Sequence, residues 1–175
     1  MAKISKQWKA LERIAAKKLG GKRKLRRAFD FGIKDSDVDH PIFCIDCKYG
    51  KQVPITFWNR LKEASYDGIR LRTKAGVDYY LITLDALVDY MKTGMGSFYE
   101  IPWERNAKKF EGWREKIITD YINGNMGDDG KIPLVVMKSP RQTGEMCFIL
   151  CDDFYDARDW WHKYHDKMEK LLKGE

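Results

Sequence analysis

Asp46 and Lys48 stand two apart in the run Phe43-Cys44-Ile45-Asp46-Cys47-Lys48, which is otherwise apolar. On a strand that spacing sends both charged side chains to one face, while Ile45 and Cys47 project from the other. A charged pair inside an apolar strand is expensive unless the charges satisfy each other or hold a metal. Upstream, Asp37-Val38-Asp39 leads through the turn signal His40-Pro41 into this strand, so the segment reads as a hairpin. With a two-residue turn at His40-Pro41, Asp39 pairs with Ile42, Asp37 with Cys44 and Asp35 with Asp46. Asp35, Asp37, Asp39 and Asp46 then share one face with Lys48. Carboxylates so crowded repel one another and raise their own pKa values unless a cation joins them, and an oxygen-only donor set selects Mg2+, with Mn2+ as its substitute. The matching chemistry is phosphodiester hydrolysis: the ion polarises a phosphoryl oxygen and acidifies water, and the lysine orients that water and offsets charge in the transition state.

The elements that must position these residues begin with an amphipathic helix. Ile4, Trp8, Leu11, Ala15 and Leu19 recur at helical spacing, and Gly20-Gly21 closes the pattern where a C-terminal cap belongs, which predicts a helix over 4–19. Glu12 lies roughly 20° from Leu19 on the helical wheel, at the edge of the apolar arc, where it either reaches solvent or pairs with Lys9. Gly20 to Arg27 reads as a flexible basic loop suited to following a phosphate backbone. Residues 1–27 contain eleven of the 33 Lys and Arg but one of the 26 acids, so the net charge of +7 is concentrated there and the remainder is slightly acidic. A concentrated basic segment on a near-neutral body fits a phosphate-binding surface, although solvated basic tails are common.

Further along, residues 54–64 predict an amphipathic helix and 79–84 a strand running into a helix at 85–92; a glycine-rich break at 94–97 precedes a helix over 104–122. The last third predicts a buried strand at 132–137, a turn around 139–144, a strand at 146–151 and one continuous helix from 153 to 172. Each of the two strand-to-helix passages, YYLITLDALVDY and MCFILCDDFYDA, runs through Asp, read as the helix N-cap. A mixed α/β chain with one domain over 1–175 results.

Cys44, Cys47, Cys147 and Cys151 lie in apolar, strand-like runs and read as reduced core residues, not as zinc ligands. His162 and His165 read as surface or packing residues, and His40 as a turn residue bordering the site closely enough to touch DNA. Trp58, Trp103, Trp113, Trp160 and Trp161 read as core or dimer-contact residues. No apolar run is long enough for a membrane span and no signal peptide is evident, so the expected location is cytoplasmic.

An acidic residue on the first helix, an Asp, and an acid-x-Lys on the next strand together resemble the PD-(D/E)XK nuclease superfamily. The run DVDHPIFCIDCK is similar to a group of phage and archaeal Holliday junction resolvase-like nucleases. The resemblance covers about residues 6–65 and returns at KIPLVVMK and FILCDDF; residues 66–130 have no counterpart in it and read as an insertion. It implies a restriction-endonuclease-like core, a central mixed sheet flanked by helices. It makes Asp46 the acidic ligand of the acid-x-Lys element, Lys48 its lysine, the carbonyl of Cys47 a further ligand and Glu12 a ligand from the first helix. Asp37 matches the upstream Asp, with Asp39 as the alternative, because the Pro of the motif is missing and the interval to Asp46 is short.

The expectation is a Mg2+-dependent DNA endonuclease whose phosphate contacts come from Lys22, Arg23, Lys24, Arg26, Arg27 and Lys51. The resemblance further implies a homodimer acting on branched DNA such as four-way junctions, with a phage- or virus-encoded source acting in the host cell admitted by its phage members. Two alternatives stand beside it: a nucleic-acid-binding accessory protein of the same fold that does not cut, and a repair, nicking or restriction-like nuclease.

Overall fold

The computed structural model describes residues 2–24, 36–50, 59, 61–63, 65–72, 78–101, 111–113, 115–116, 119, 131–140 and 142–173. The chain opens with helix α1 (Ala2–Leu19), followed by β1 (Lys22–Arg23), β2 (Val38–Asp39), β3 (Phe43–Tyr49), β4 (Gly68–Arg72) and β5 (Asp78–Thr83). Helix α2 (Leu84–Thr93), β6 (Phe98–Ile101), β7 (Ile132–Lys138), β8 (Met146–Leu150), helix α3 (Cys151–Lys163) and helix α4 (His165–Lys173) complete it. The strands form one mixed sheet in the order β1-β2-β3-β7-β8-β5-β4-β6, in which β3 runs parallel to β7 and β4 to β6.

Both faces of this sheet are covered, which is why its central strands read as nearly continuous apolar runs. Ile45, Cys47, Leu134, Val136, Cys147, Ile149, Tyr80 and Ile82 point to one face and pack against Leu11, Ala15 and Leu19 of α1, Leu87 and Met91 of α2, and Phe154 and Trp161 of α3. Cys44, Val135, Met137, Phe148 and Leu81 point to the other face, with Leu61 and Trp113 from helical residues laid against them. Mixed α/β architecture with a helix-flanked sheet is therefore observed. Segment 66–130, read from sequence as an insertion, supplies β4, β5, α2 and β6 to the common sheet and core.

Local chemistry explains where the elements end. Gly20 adopts the left-handed conformation at φ 75° and caps α1, as expected from Gly20-Gly21. Gly21 serves a close approach: a Cβ there would lie 2.7 Å from the Asp39 carbonyl oxygen and 2.8 Å from Cγ1 of Val38. The expected Asp N-caps are corrected. Thr83 caps α2 by accepting from Ala86 N–H at 3.2 Å, so that Asp85 falls in the first turn, and α3 begins after Leu150 without any side-chain cap. The single terminal helix is also corrected, because Tyr164 interrupts it; its N–H is shared between the carbonyls of Trp160 and Trp161, both at 3.1 Å. The expected helices at 54–64 and 104–122, with Trp58 and Trp103, lie mostly or wholly outside the described residues.

Candidate functional site

The hairpin that carries the acids is real, but its register differs from the one expected. Val38 pairs with Ile45, not with Phe43, so the pairing is displaced by two residues. His40 is the cause. Its ring, 1% exposed, accepts at Nδ1 from the N–H groups of Ile42 (3.1 Å) and Phe43 (3.0 Å), and its Nε2 donates to the Leu19 carbonyl at 2.8 Å. The imidazole thus replaces a tight two-residue turn with a wider one and pins that turn to the end of α1. Burial pushes its pKa down to about 4, which keeps the ring neutral and able to accept. His40 serves the turn as expected; contact with DNA is ruled out by its burial.

An even displacement leaves every side chain on its expected face but changes which acids meet. One step along the observed register sets Asp37 against Asp46. Asp37, 8% exposed, donates its N–H to the Ile45 carbonyl at 2.8 Å, and its Oδ2 accepts from Cys47 N–H at 2.7 Å. Its carboxyl is in hydrogen-bond contact with that of Asp46. Burial pushes the Asp37 pKa up to about 7; the Cys47 N–H works against this, and Asp46 and Glu12 add to the rise. Asp39 points elsewhere: its side chain is 63% exposed, 3.9 Å from Lys131. Asp37, not Asp39, is the upstream acid that meets Asp46, and Asp35 lies outside the described residues.

Around this pair stand three further side chains. Lys48 forms an ion pair with Asp46, both on the face opposite Ile45 and Cys47, as their spacing predicts. Glu12 arrives from α1, near enough to act on the charge of Asp37 and Cys47, and its Oε2 accepts from Arg23 Nε at 2.5 Å. The expected partner of Glu12 was Lys9 or solvent; it is Arg23. The expected flexible loop beginning at Gly20 is likewise corrected at its start: Lys22 and Arg23 form β1, paired with Asp39 and Val38, and Lys24 N–H donates to the Asp37 carbonyl at 3.1 Å. Strand alternation then puts Arg23 on the face of Val38 and α1, and Lys22 on the opposite one. Arg26, Arg27 and Lys51 lie outside the described residues.

The donor set fits a hard divalent cation in kind: two carboxyl groups in contact and a third nearby, all with oxygen as the only ligand atom, beside a lysine that brings charge and no ligand. Two carboxyl groups so close are tolerated only where a proton or another positive charge offsets them. In the conformation seen, Lys48 and Arg23 each hold one of the acids, and among the described residues no three His, Cys, Asp or Glu side chains are grouped about a common ion position.

Sequence reasoning missed a second charged cluster on the α1 face. Glu145, 5% exposed, accepts from Lys18 at 2.8 Å and Lys138 at 3.0 Å, and Lys18 also reaches Asp85 at 2.8 Å. Burial alone would raise the Glu145 pKa, but the two lysines outweigh it and hold the carboxyl below its ordinary value. The available signal was an acid directly preceding the apolar run Met146 to Leu150. The four cysteines are buried and form no disulfide, in keeping with their reading as core residues, and His162 and His165 are exposed. No helix among the described residues is long and apolar enough to cross a membrane. Comparison with protein-family models, with characterised proteins and with solved structures returned no match.

Proposed function

We propose that this chain is a Mg2+-dependent endonuclease that hydrolyses DNA phosphodiesters, with Asp37, Asp46 and Glu12 as the residues that hold the ion. The observation that carries the reading is the contact between the buried carboxyl of Asp37 and that of Asp46, next to Lys48. A pair of acids pressed together in a poorly solvated place is unfavourable by itself, and perturbed groups of this kind concentrate at functional sites. When bound, the ion supplies positive charge at the phosphoryl oxygen and lowers the pKa of water beside it. The Cys47 N–H fixes one oxygen of Asp37, so the other is presented in a defined direction. Lys48, released from Asp46, is within reach of the same space, where its ammonium orients water and offsets charge on the pentacoordinate phosphorus. The carbonyl of Cys47 is a further oxygen donor at this position. Lys22, Arg23 and Lys24, with Arg26, Arg27 and Lys51 of the same basic stretches, take the DNA phosphates.

The restriction-endonuclease-like core, a homodimer and a preference for branched DNA such as four-way junctions belong to the same proposal and rest on the similarity of the hairpin to the resolvase-like nucleases. Action in the cytoplasm, in a host cell if the chain is phage- or virus-encoded, belongs to the same proposal. Cleavage of linear, flapped and four-way DNA with and without Mg2+ tests the reading, with Asp46→Ala and Lys48→Ala as controls. Metal-dependent cutting abolished by both substitutions is expected; inactivity of the unaltered chain on every substrate would sink it. Relative rates across those substrates separate a junction resolvase from a repair, nicking or restriction-like nuclease.

A second reading has its own observation. Glu12 is neutralised by Arg23 and Asp46 by Lys48 without any ion. A DNA-binding accessory protein of the same fold that does not cut would be content with that arrangement. It predicts DNA binding of equal strength with and without Mg2+, and no cleavage.

A further inference from the structure

Arg23 belongs to the most basic stretch of the chain, yet its guanidinium turns to Glu12 of α1. Its Nε donates to Glu12 Oε2 at 2.5 Å, and the two side chains are 20% and 15% exposed. Its backbone is held in place: Arg23 pairs with Val38 in β1, and Gly21, two residues before it, leaves no room for a Cβ against Asp39 and Val38. Glu12 adds its charge to that of Asp46 at Asp37, and Arg23 is the cation that holds Glu12. A divalent ion drawn to that cluster meets a positive charge already on one of its acids, and ion and guanidinium cannot both claim Glu12. A guanidinium fork that fits a carboxylate fits a phosphate equally well.

We propose that Arg23 is an exchangeable counterion of the site: it neutralises Glu12 while no divalent ion is bound, and passes to a DNA phosphate when an ion takes Glu12. Ion and DNA then strengthen each other's binding, because each removes an obstacle to the other, and the coupling is reciprocal. Lys22 provides the contrast. It lies in register with Asp39 and is exposed, so it is available to phosphate whether or not an ion is present. The inference rests on the ion-binding reading of Asp37, Asp46 and Glu12.

The test measures Mn2+ affinity of the DNA-free chain by calorimetry, and affinity for a labelled duplex by fluorescence anisotropy in EDTA and in Ca2+. Arg23→Gln is expected to bind Mn2+ about tenfold more tightly than the unaltered chain, since a competing charge is gone. The same substitution should weaken duplex binding less than about twofold in EDTA and about tenfold in Ca2+, whereas Lys22→Gln should weaken it equally in both and leave Mn2+ affinity unchanged. Glu12→Gln, which frees Arg23 permanently, should tighten duplex binding in EDTA. Unchanged or weaker Mn2+ binding by Arg23→Gln, or equal losses of duplex affinity in EDTA and Ca2+, overturns the exchange while leaving the ion site standing. Failure of the unaltered chain to bind Mn2+ at all, or Mn2+ binding that survives Asp37→Asn, removes the ion site and the exchange with it.

Discussion

Helix α1 delivers charge to two buried carboxylates, and it treats them in opposite ways. At Glu145 it supplies a cation, Lys18, and Lys138 from β7 supplies another. At Asp37 it supplies a further acid, Glu12, while β3 adds Asp46. The consequences for protonation differ in sign: Glu145 is held below its ordinary pKa and Asp37 is pushed above its own. A buried acid closed off by lysines locks α1, α2 and the β7–β8 hairpin together, and its Lys18 is in turn held charged by Asp85 and Glu145 against the pull of burial. A buried acid crowded by other acids contributes nothing of that kind; its arrangement makes sense where something positive is to be bound.

The sharpest way to break this comparison is by activity. Asp46→Ala should lower metal-dependent DNA cleavage by on the order of a thousandfold, about 4 kcal/mol of transition-state stabilisation. Glu145→Gln should leave the rate per folded molecule nearly unchanged; a large loss there would mean the two clusters are not functionally distinct. Second, Mn2+ at about a hundred times its dissociation constant should raise unfolding stability by about 2.7 kcal/mol in the unaltered chain and by much less in Asp37→Asn, as read by thermal melts. Third, Glu145→Gln should destabilise the chain by about 2 kcal/mol in urea unfolding. That is less than for a fully buried pair, since Lys18 and Lys138 keep some contact with water.

The smallest effect carries the clearest sign. In EDTA, Asp37→Asn should be more stable than the unaltered chain by about 1 kcal/mol at neutral pH, because it removes an acid from among acids. Since Asp37 keeps its proton up to about pH 7 when folded but loses it in the ordinary carboxylate range when unfolded, the unaltered chain loses stability as pH rises between those values. The advantage of Asp37→Asn should therefore grow across that window and level off above it. Glu145 behaves in the reverse sense: its contribution is present above the ordinary carboxylate range and is lost as pH falls through its depressed folded value. Melting curves from pH 3 to 8 for both substitutions would reveal a failure of either sign.

Much of this could be read from the chain itself, and the exceptions share a cause. The spacing of Trp8, Leu11, Ala15 and Leu19 identifies α1, and the alternation of Asp46 and Lys48 with Ile45 and Cys47 identifies the two faces of β3. What could not be read depends on groups far apart in sequence. The hairpin register is set by the His40 ring bridging to Leu19, and Arg23 finds Glu12 because β1 joins the sheet beside α1. Strands β4 and β6 escaped because Gly68-Ile69-Arg70-Leu71-Arg72 and Phe98-Tyr99-Glu100-Ile101 are short and mix charge with apolar residues; Arg70 is accommodated there by Asp78 at 2.7 Å and Glu100 at 3.4 Å. Acid meeting acid at Asp37 and Asp46 was expected in kind, but the partner residue was misassigned by the turn.

The parallel pairing of β3 with β7 also sets an order of events during synthesis. One edge of β3 is occupied by β2, a few residues upstream, but the other edge waits for Ile132–Lys138, which align with Phe43–Tyr49 along their whole length. Closing so long a loop is slow compared with forming α1 or the neighbouring hairpin. Until β7 has left the ribosome, the strand bearing Asp46 and Lys48 presents an unpaired apolar edge, and the acids around it have no rigid backing. A chain whose β7 has not yet docked is therefore an aggregation hazard along that edge.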